Sequence, residues 1–320
     1  MSDAVKGIPP KPPAQEHRRE NLPWAAPKLA IDDPEAWDRV QAIMGHPSYR
    51  QPDHDPDFID SYEARSLRLG LDYLKPEVLL QQSNVEYSIV VFGGTRIPEP
   101  AMARRNQETA RNALLDAPDD AEVQQKLNGD LARANRVEAK SRYYDVAREF
   151  GRLVGLAGEG AEDCRISLVT GGGPGIMEAA NRGAFDVGAR SIGLNITLPH
   201  EQYPNPYVTP DLCFQFHYFA IRKLHFLLRA RALVAFPGGF GTLDELFEAL
   251  TLIQTRKITP IPVVLVGESY WRQAVDVDFL HAEGVIDAED RELFWYAETA
   301  EEIWQGIQDW HQEAGRPLPT

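Results

Sequence analysis

An α/β fold, with a doubly wound, mostly parallel sheet flanked by helices, is what this sequence predicts, and three observations carry the prediction. Short apolar runs recur at residues 87–92, 166–170, 190–196, 232–236 and 261–266. Segments with helical apolar spacing alternate with them, and three of the runs end in glycine-rich turns. Strand, turn and helix repeated in that order give a sheet covered on both faces.

Taken in order, residues 1–30 hold Pro9, Pro10, Pro12, Pro13, Pro23 and Pro27 among charges, the composition of a flexible tail or an arm laid on a surface. Residues 31–84 predict an N-terminal helical extension, with helices over 34–44 and 56–75. The core spans 85–267. It opens with the run 87–92 and the turn Gly93-Gly94-Thr95-Arg96. Residues 98–137 are polar and predict an exposed helix, a loop near 116–120 and the start of another helix. A helix over 138–157 follows, with Tyr144, Ala147, Phe150, Leu153 and Val154 on its core face.

The run 166–170 delivers Gly171-Gly172-Gly173-Pro174-Gly175 and a helix to about Val187. The interval before the next run is long enough for a crossover helix, so the strands pair in parallel. Residues 197–215, with Pro199, Pro204, Pro206 and Pro210, read as a loop, and 216–229 as a helix. The fourth run leads into Pro237-Gly238-Gly239-Phe240-Gly241-Thr242, then into a helix whose apolar stripe is Leu243, Leu246, Phe247, Leu250 and Ile253. The fifth contains Pro262, which cannot donate to a ladder. Residues 268–320 predict a C-terminal helical extension in pieces, over 271–279, 287–293 and 299–313.

The chain carries 33 Lys and Arg against 48 Asp and Glu, a formal charge of −15. That balance disfavours nonspecific nucleic-acid binding and makes any anionic ligand depend on local donors. Cys164 and Cys213 make neither a disulfide framework nor a metal cluster. His200, His217 and His225 give no defensible metal site, and no apolar segment is long enough to span a membrane. The expectation is a soluble cytoplasmic protein with no metal and no cofactor.

The three glycine turns converge at the carboxyl ends of the strands, where such sheets collect ligands. A helix opening from such a turn presents unpaired N–H groups to an anion. Neither dinucleotide spacing nor a phosphate-loop lysine is present, so a single phosphate and a sugar fit better than a dinucleotide or ATP. Thr242 and Glu245 also make a capping-box pattern, which would serve only to start the helix. Glu245 and Glu248, three apart, either hold ribose hydroxyls and orient water or are solvent-facing charges. Arg96, Arg222, Asp244 and Glu178 are the other candidate side chains; Arg222 and the neighbouring Lys223 can equally be surface residues of a helix, and Glu178 can equally complement a helix dipole.

The run Gly171 to Asn181, the pair Arg222-Lys223 and the stretch Pro237 to Glu245 resemble the LOG-type phosphoribohydrolases, long labelled possible lysine decarboxylases, over residues 87–266. The resemblance implies a Rossmann-like core and cleavage of the N-glycosidic bond of a nucleoside 5′-monophosphate to base and ribose 5-phosphate. AMP or a cytokinin riboside 5′-monophosphate is the implied substrate. It places the catalytic roles on Arg222 and Glu245. Binding is carried onto Gly93, Gly94, Gly171, Gly172, Gly173, Gly175, Gly238, Gly239, Gly241 and Thr242, with Glu178, Lys223 and Glu248 beside them. It also implies a homodimer or larger homo-oligomer. Residues 98–137 and both terminal extensions exceed the compact family pattern. The alternatives are a nucleotide- or sugar-phosphate-binding regulator without catalysis, and a pyridoxal-phosphate decarboxylase using Lys223 or Lys257.

Overall fold

A computed structural model describes residues 28–157, 163–199 and 203–319, with the isolated residues Pro12, Glu20 and Leu22. The expected tail over 1–30 lies almost wholly outside the described residues, as does His200. The chain divides into two units, residues 1–68 and 69–320. The first holds α1 (Ala36–Met44), α2 (Pro56–Asp60) and the opening of α3 (Arg65–Gln82). Pro56 starts α2, where a missing N–H has no acceptor to lose, and the Asp55 carboxylate accepts the Phe58 N–H at 3.4 Å. The single helix expected over 56–75 is therefore two. The second of them runs on through Pro76 to Gln82, with Pro76 and Leu80 buried.

The second unit continues with β1 (Tyr87–Phe92), α4 (Pro100–Leu115), α5 (Ala121–Lys140) and α6 (Arg142–Gly155). Next come β2 (Ile166–Thr170), α7 (Ile176–Asp186), β3 (Ser191–Ile196), β4 (Cys213–Phe216) and α8 (Phe219–Leu228). After these follow β5 (Ala230–Ala235), α9 (Phe240–Gln254), β6 (Val263–Val266), α10 (Glu268–Ala274), α11 (Val277–Ala282), β7 (Trp295–Ala297) and α12 (Ala300–Glu313). All the strands are parallel, in the order β4-β3-β2-β1-β5-β6-β7.

Among the described residues seven strands replace the five expected. The additions are the two edges. β4 has four residues, of which Phe214 and Phe216 are buried while Gln215 is exposed, so it alternates over too short a span to stand out behind a proline-rich loop. β7 has three residues in the gap between the helices expected over 287–293 and 299–313, and its pairing with β6 makes it a strand. Pro262 falls just ahead of β6, where it costs no ladder bond; its carbonyl accepts from Leu233 at 3.0 Å.

The central strands are buried on both faces and split their side chains between two cores. Val90, Phe92, Leu233 and Leu265 pack with Leu80, Phe226, Leu246 and Trp271. Ile89, Val91, Val234 and Val266 pack with Tyr144, Phe150, Ile176 and Ile303 on the opposite side. Among the described residues no helix is long and apolar enough to cross a membrane.

Two glycines set how closely α6 and α7 approach. A Cβ on Gly183 would lie 1.8 Å from the Arg148 carbonyl oxygen, and one on Gly151 would lie 2.0 Å from that of Ala180. Gly129, inside α5, would meet nothing within 4 Å. Urea unfolding should therefore show Gly183→Ala losing about 1–3 kcal/mol through overpacking, and Gly129→Ala gaining about 0.5–1 kcal/mol. Equal effects in the two variants would refute this account of the α6–α7 packing.

Candidate active site

The strand order reverses between β1 and β5, because β2, β3 and β4 extend one way and β6 and β7 the other. The connections leaving β1 and β5 diverge there and open a crevice beyond the carboxyl ends of the strands. A cavity of about 810 Å³ fills it. Gly93 and Gly94 leave β1 into this cavity, Gly171 leaves β2, and Pro237 to Gly239 leave β5. The Gly94 N–H donates to the Pro237 carbonyl at 2.9 Å and ties two of these turns together.

The turn after β5 carries α9. Its N-cap is Gly239 and no side chain caps it, so the capping box expected of Thr242 and Glu245 does not form. Both residues lie inside the helix. Leu243 N–H bonds to the Gly239 carbonyl at 3.1 Å, and the residues between, Phe240 to Thr242, line the cavity; the N–H groups of a first turn have no intrahelical acceptor. A Cβ on Gly239 or Gly241 would meet nothing within 4 Å, so the cavity is open above both. An anion can approach this backbone closely.

Arg222, on α8, reaches the same cavity. Its Nε donates to the Leu194 carbonyl at 2.6 Å, and its guanidinium carbon lies 5.2 Å from the centre of the Phe226 ring. A Cβ on Gly171 would fall 2.5 Å from one terminal nitrogen, so the bare backbone of Gly171 is what makes room for the guanidinium. Burial lowers the Arg222 pKa from its usual value, and the charge of Glu245 opposes that shift. An arginine nonetheless remains cationic at neutral pH.

Glu245, in the second turn of α9, also lines the cavity and is only 8% exposed. Burial pushes its carboxyl up to about 7, against the pull of Arg222 and Lys223. A carboxyl poised near neutrality beside a fixed cation is suited to proton transfer and to stabilising positive charge.

Other expected residues serve packing or surface ion pairs. Among the turn after β2, Gly171 lines the cavity and Gly172, Gly173 and Gly175 do not. The carbonyls of Gly172 and Gly173 accept from Asn205, at 2.8 and 3.0 Å, and a Cβ on Gly175 would strike the Gly94 carbonyl at 2.5 Å. Gly172 and Gly175 have φ of 68° and 73°, the left-handed region that this tight turn needs. Glu178 accepts the Tyr144 hydroxyl at 2.8 Å between α6 and α7, outside the cavity lining. Lys223 pairs with Asp244 at 2.8 Å and Glu248 at 3.2 Å; Lys223 and Glu248 border a separate surface groove.

The sequence reading did not find what holds Arg222 in place. The Asp72 carboxylate on α3 accepts the N–H groups of His217 and Tyr218, at 2.9 and 2.7 Å, just ahead of α8. At the other end of α8, Glu77 takes both terminal nitrogens of Arg229 at 2.7 and 2.8 Å, which holds the Glu77 carboxyl below its usual value. Midway, the Tyr73 carbonyl lies 3.0 Å from Nε2 of His225. Also unforeseen were Tyr270, whose hydroxyl donates to the Gly238 carbonyl, and the basic row Arg133, Arg136 and Lys140 on α5. Their spacing of three and four residues is a one-face helical pattern that the polar text of 98–137 concealed.

A family model described as "possible lysine decarboxylase" matches residues 177–307. The cytokinin riboside 5′-monophosphate phosphoribohydrolase LOG3 of Arabidopsis thaliana is 30% identical over 177 residues, covering 53% of this chain and 77% of its own. LOG4 of the same plant, likewise described, is 29% identical over 176 residues, with 53% and 77% covered. The rice (Oryza sativa subsp. japonica) enzyme LOG, of the same description, is 29% identical over 178 residues, with 54% and 69% covered.

The raised carboxyl of Glu245 has a consequence for stability. Folded, it holds its proton to about pH 7; unfolded, it releases it near 4.5. The native state binds more protons in that window, so the stability associated with this group is full below 4.5 and declines as pH rises toward 7. Glu245→Gln lacks this dependence. Relative to the parent chain it should gain on the order of 1–3 kcal/mol between pH 5 and pH 8 in urea unfolding. An offset that is the same at both pH values would refute the assignment.

Proposed function

Because the chain belongs to the LOG-type phosphoribohydrolase family and is a nucleotide-hydrolysing enzyme of it, we propose that it hydrolyses the N-glycosidic bond of a purine nucleoside 5′-monophosphate. AMP or a cytokinin riboside 5′-monophosphate is the substrate, and free base and ribose 5-phosphate are the products. The observation that carries this reading is that an uncapped helix N-terminus, Arg222 and a buried Glu245 share one cavity.

In this reading the α9 N-terminus, with Gly238, Gly239, Gly241 and Thr242, receives the 5′-phosphate, while Gly93, Gly94 and Gly171 leave room for ribose and base. As the bond from C1′ to the base nitrogen breaks, its electron pair leaves with the base and positive charge grows on the ribose ring. The ionised Glu245 stabilises that charge more in the transition state than in the bound substrate. It then takes a proton from the water whose oxygen bonds to C1′; the departing base takes a proton from solvent, and Glu245 returns its own to solvent to complete the cycle. A carboxyl near pH 7 is matched to that exchange. Arg222 fixes the ribose or phosphate with a rigid, permanently charged fork. Lys223 and Glu248, tied to each other at the surface, hold α8 against α9 and so fix the spacing of Arg222 and Glu245.

The decarboxylase reading needs an amine in the cavity for a Schiff base. Lys223 is committed to two carboxylates, and Lys257 is exposed and outside the cavity lining. Lys140 does line the cavity, with its amine bonded to the Arg136 carbonyl at 3.1 Å on α5. A homo-oligomer fits the apolar surface next to the site, where Phe240 is 92% exposed and Phe219, Leu224 and Phe247 are exposed on α8 and α9.

Incubation with AMP, without added metal or cofactor, should release adenine and ribose 5-phosphate in equal amounts by chromatography. Glu245→Gln should cut kcat by on the order of 10²–10⁴ while calorimetry still detects nucleotide binding. Binding by the parent chain with no base released over long incubation would overturn the hydrolase in favour of a nucleotide-binding regulator.

A further inference from the structure

The peptide between Gly238 and Gly239, at the start of the turn that opens α9, has an orientation that glycine itself does not decide. A Cβ on Gly238 would lie 2.1 Å from the Thr242 hydroxyl oxygen, so only glycine fits there, and a Cβ on Gly239 would meet nothing within 4 Å. With no side chain on either flank, such a peptide flips at little cost. A flip reverses what it offers an anion, an attracting N–H in one orientation and a repelling carbonyl in the other. Some other group must fix it.

That group comes from α10. Trp271 is 1% exposed, and its indole N–H donates to the carbonyls of Val266 at 3.0 Å and Ala235 at 3.2 Å, which ties α10 to the ends of β6 and β5. The Tyr270 ring meets that indole edge-on, with centroids 5.4 Å apart. Tyr270 lines the cavity, and its hydroxyl donates to the Gly238 carbonyl. In a planar trans peptide the carbonyl and the following N–H point in opposite directions, so this bond turns the Gly239 N–H away from Tyr270. The flanking carbonyls are committed as well, that of Pro237 to the Gly94 N–H at 2.9 Å and that of Gly239 to the Leu243 N–H at 3.1 Å. Three successive carbonyls of the turn are thus bonded within the protein.

We propose that Tyr270 is a positioning residue for phosphate binding, whose hydroxyl holds the Gly238–Gly239 peptide in the orientation that presents the Gly239 N–H to the anion. It acts through that peptide and not on the substrate. The inference rests on the reading above that this turn receives the 5′-phosphate. Loss of one hydrogen bond to a charged group corresponds to about tenfold in affinity.

The test is Tyr270→Phe, which removes the hydroxyl and keeps the ring. In steady-state kinetics KM for AMP should rise about tenfold while kcat stays near the parent value, a split that a general loosening of the site would not give. Calorimetry should show inorganic phosphate bound more weakly by about the same factor. The readout that separates positioning from direct contact is the Gly239 amide of the ligand-free chain, observed by NMR after nitrogen-15 glycine labelling and assigned by its disappearance in Gly239→Ala. Its resonance should shift or broaden in Tyr270→Phe before any ligand is added. An unmoved Gly239 amide, or phosphate and AMP handled alike by the two chains, would overturn the proposal. A fall in kcat at unchanged KM would place the hydroxyl at the reacting atoms and overturn it as well. If the amide responds but the parent chain binds no phosphate, the phosphate reading of the turn fails and the fixing of the peptide by Tyr270 stands. Base release from AMP with an unmoved amide rejects the positioning role alone.

Discussion

Arg222, half-buried, and Glu245, buried, are two ionisable groups facing one cavity, and keeping both there is the constraint around which the unit is arranged. Neither could be held in that position by its own helix. The guanidinium is anchored through Nε to the Leu194 carbonyl in β3 and lies over Phe226, with one terminal nitrogen in the gap left by Gly171. The carboxyl is carried in by α9, whose start is fixed by the turn from β5. Burial raises the cost of ionising Glu245, and the arginine offsets part of that cost, which leaves the acid balanced near neutrality.

That balance depends on elements outside the central strands. Asp72 and Glu77, five residues apart on α3, engage the two ends of α8, one through backbone N–H groups and the other through Arg229. A helix held at both ends cannot easily rotate, so the stretch of α3 from Asp72 to Glu77, within the second unit, sets the orientation from which Arg222 projects. On the far side of the cavity, α5 contributes cations from an enlargement of the β1 connection. The chain thus keeps an anion-receiving turn of backbone amides in the centre and surrounds it with added helices.

The parts of this arrangement visible in the sequence are those with a strong local pattern. The central strands are continuous apolar runs because both their faces are buried, and each ends in glycine where backbone must approach backbone or ligand. Arg222 and Glu245 were marked by their motifs, and the cavity lining includes both. β4 and β7 were missed because edge strands of four and three residues carry too little periodicity to separate from loop or helix. The glycines after β2 look alike in sequence, yet Gly171 faces the cavity while Gly172 and Gly175 accommodate strained backbone against Asn195 and Gly94. Asp72 and Glu77 were illegible for a different reason: their partners lie more than 140 residues away in the chain. The row Arg133, Arg136 and Lys140 had the right spacing, but a basic face on a polar helix is usually a solvated face, and only the return of α5 to the cleft distinguishes it.

Titration of the Glu245 side-chain carboxyl by carbon-13 NMR, in the parent chain and in Arg222→Met, measures the coupling on which the account turns. The parent carboxyl should titrate at about 7. Removing the arginine's charge should move the midpoint upward, because burial then acts with less opposition. A midpoint in the ordinary carboxylate range, or one that does not move when Arg222 is replaced, would mean that the two groups do not share a buried site.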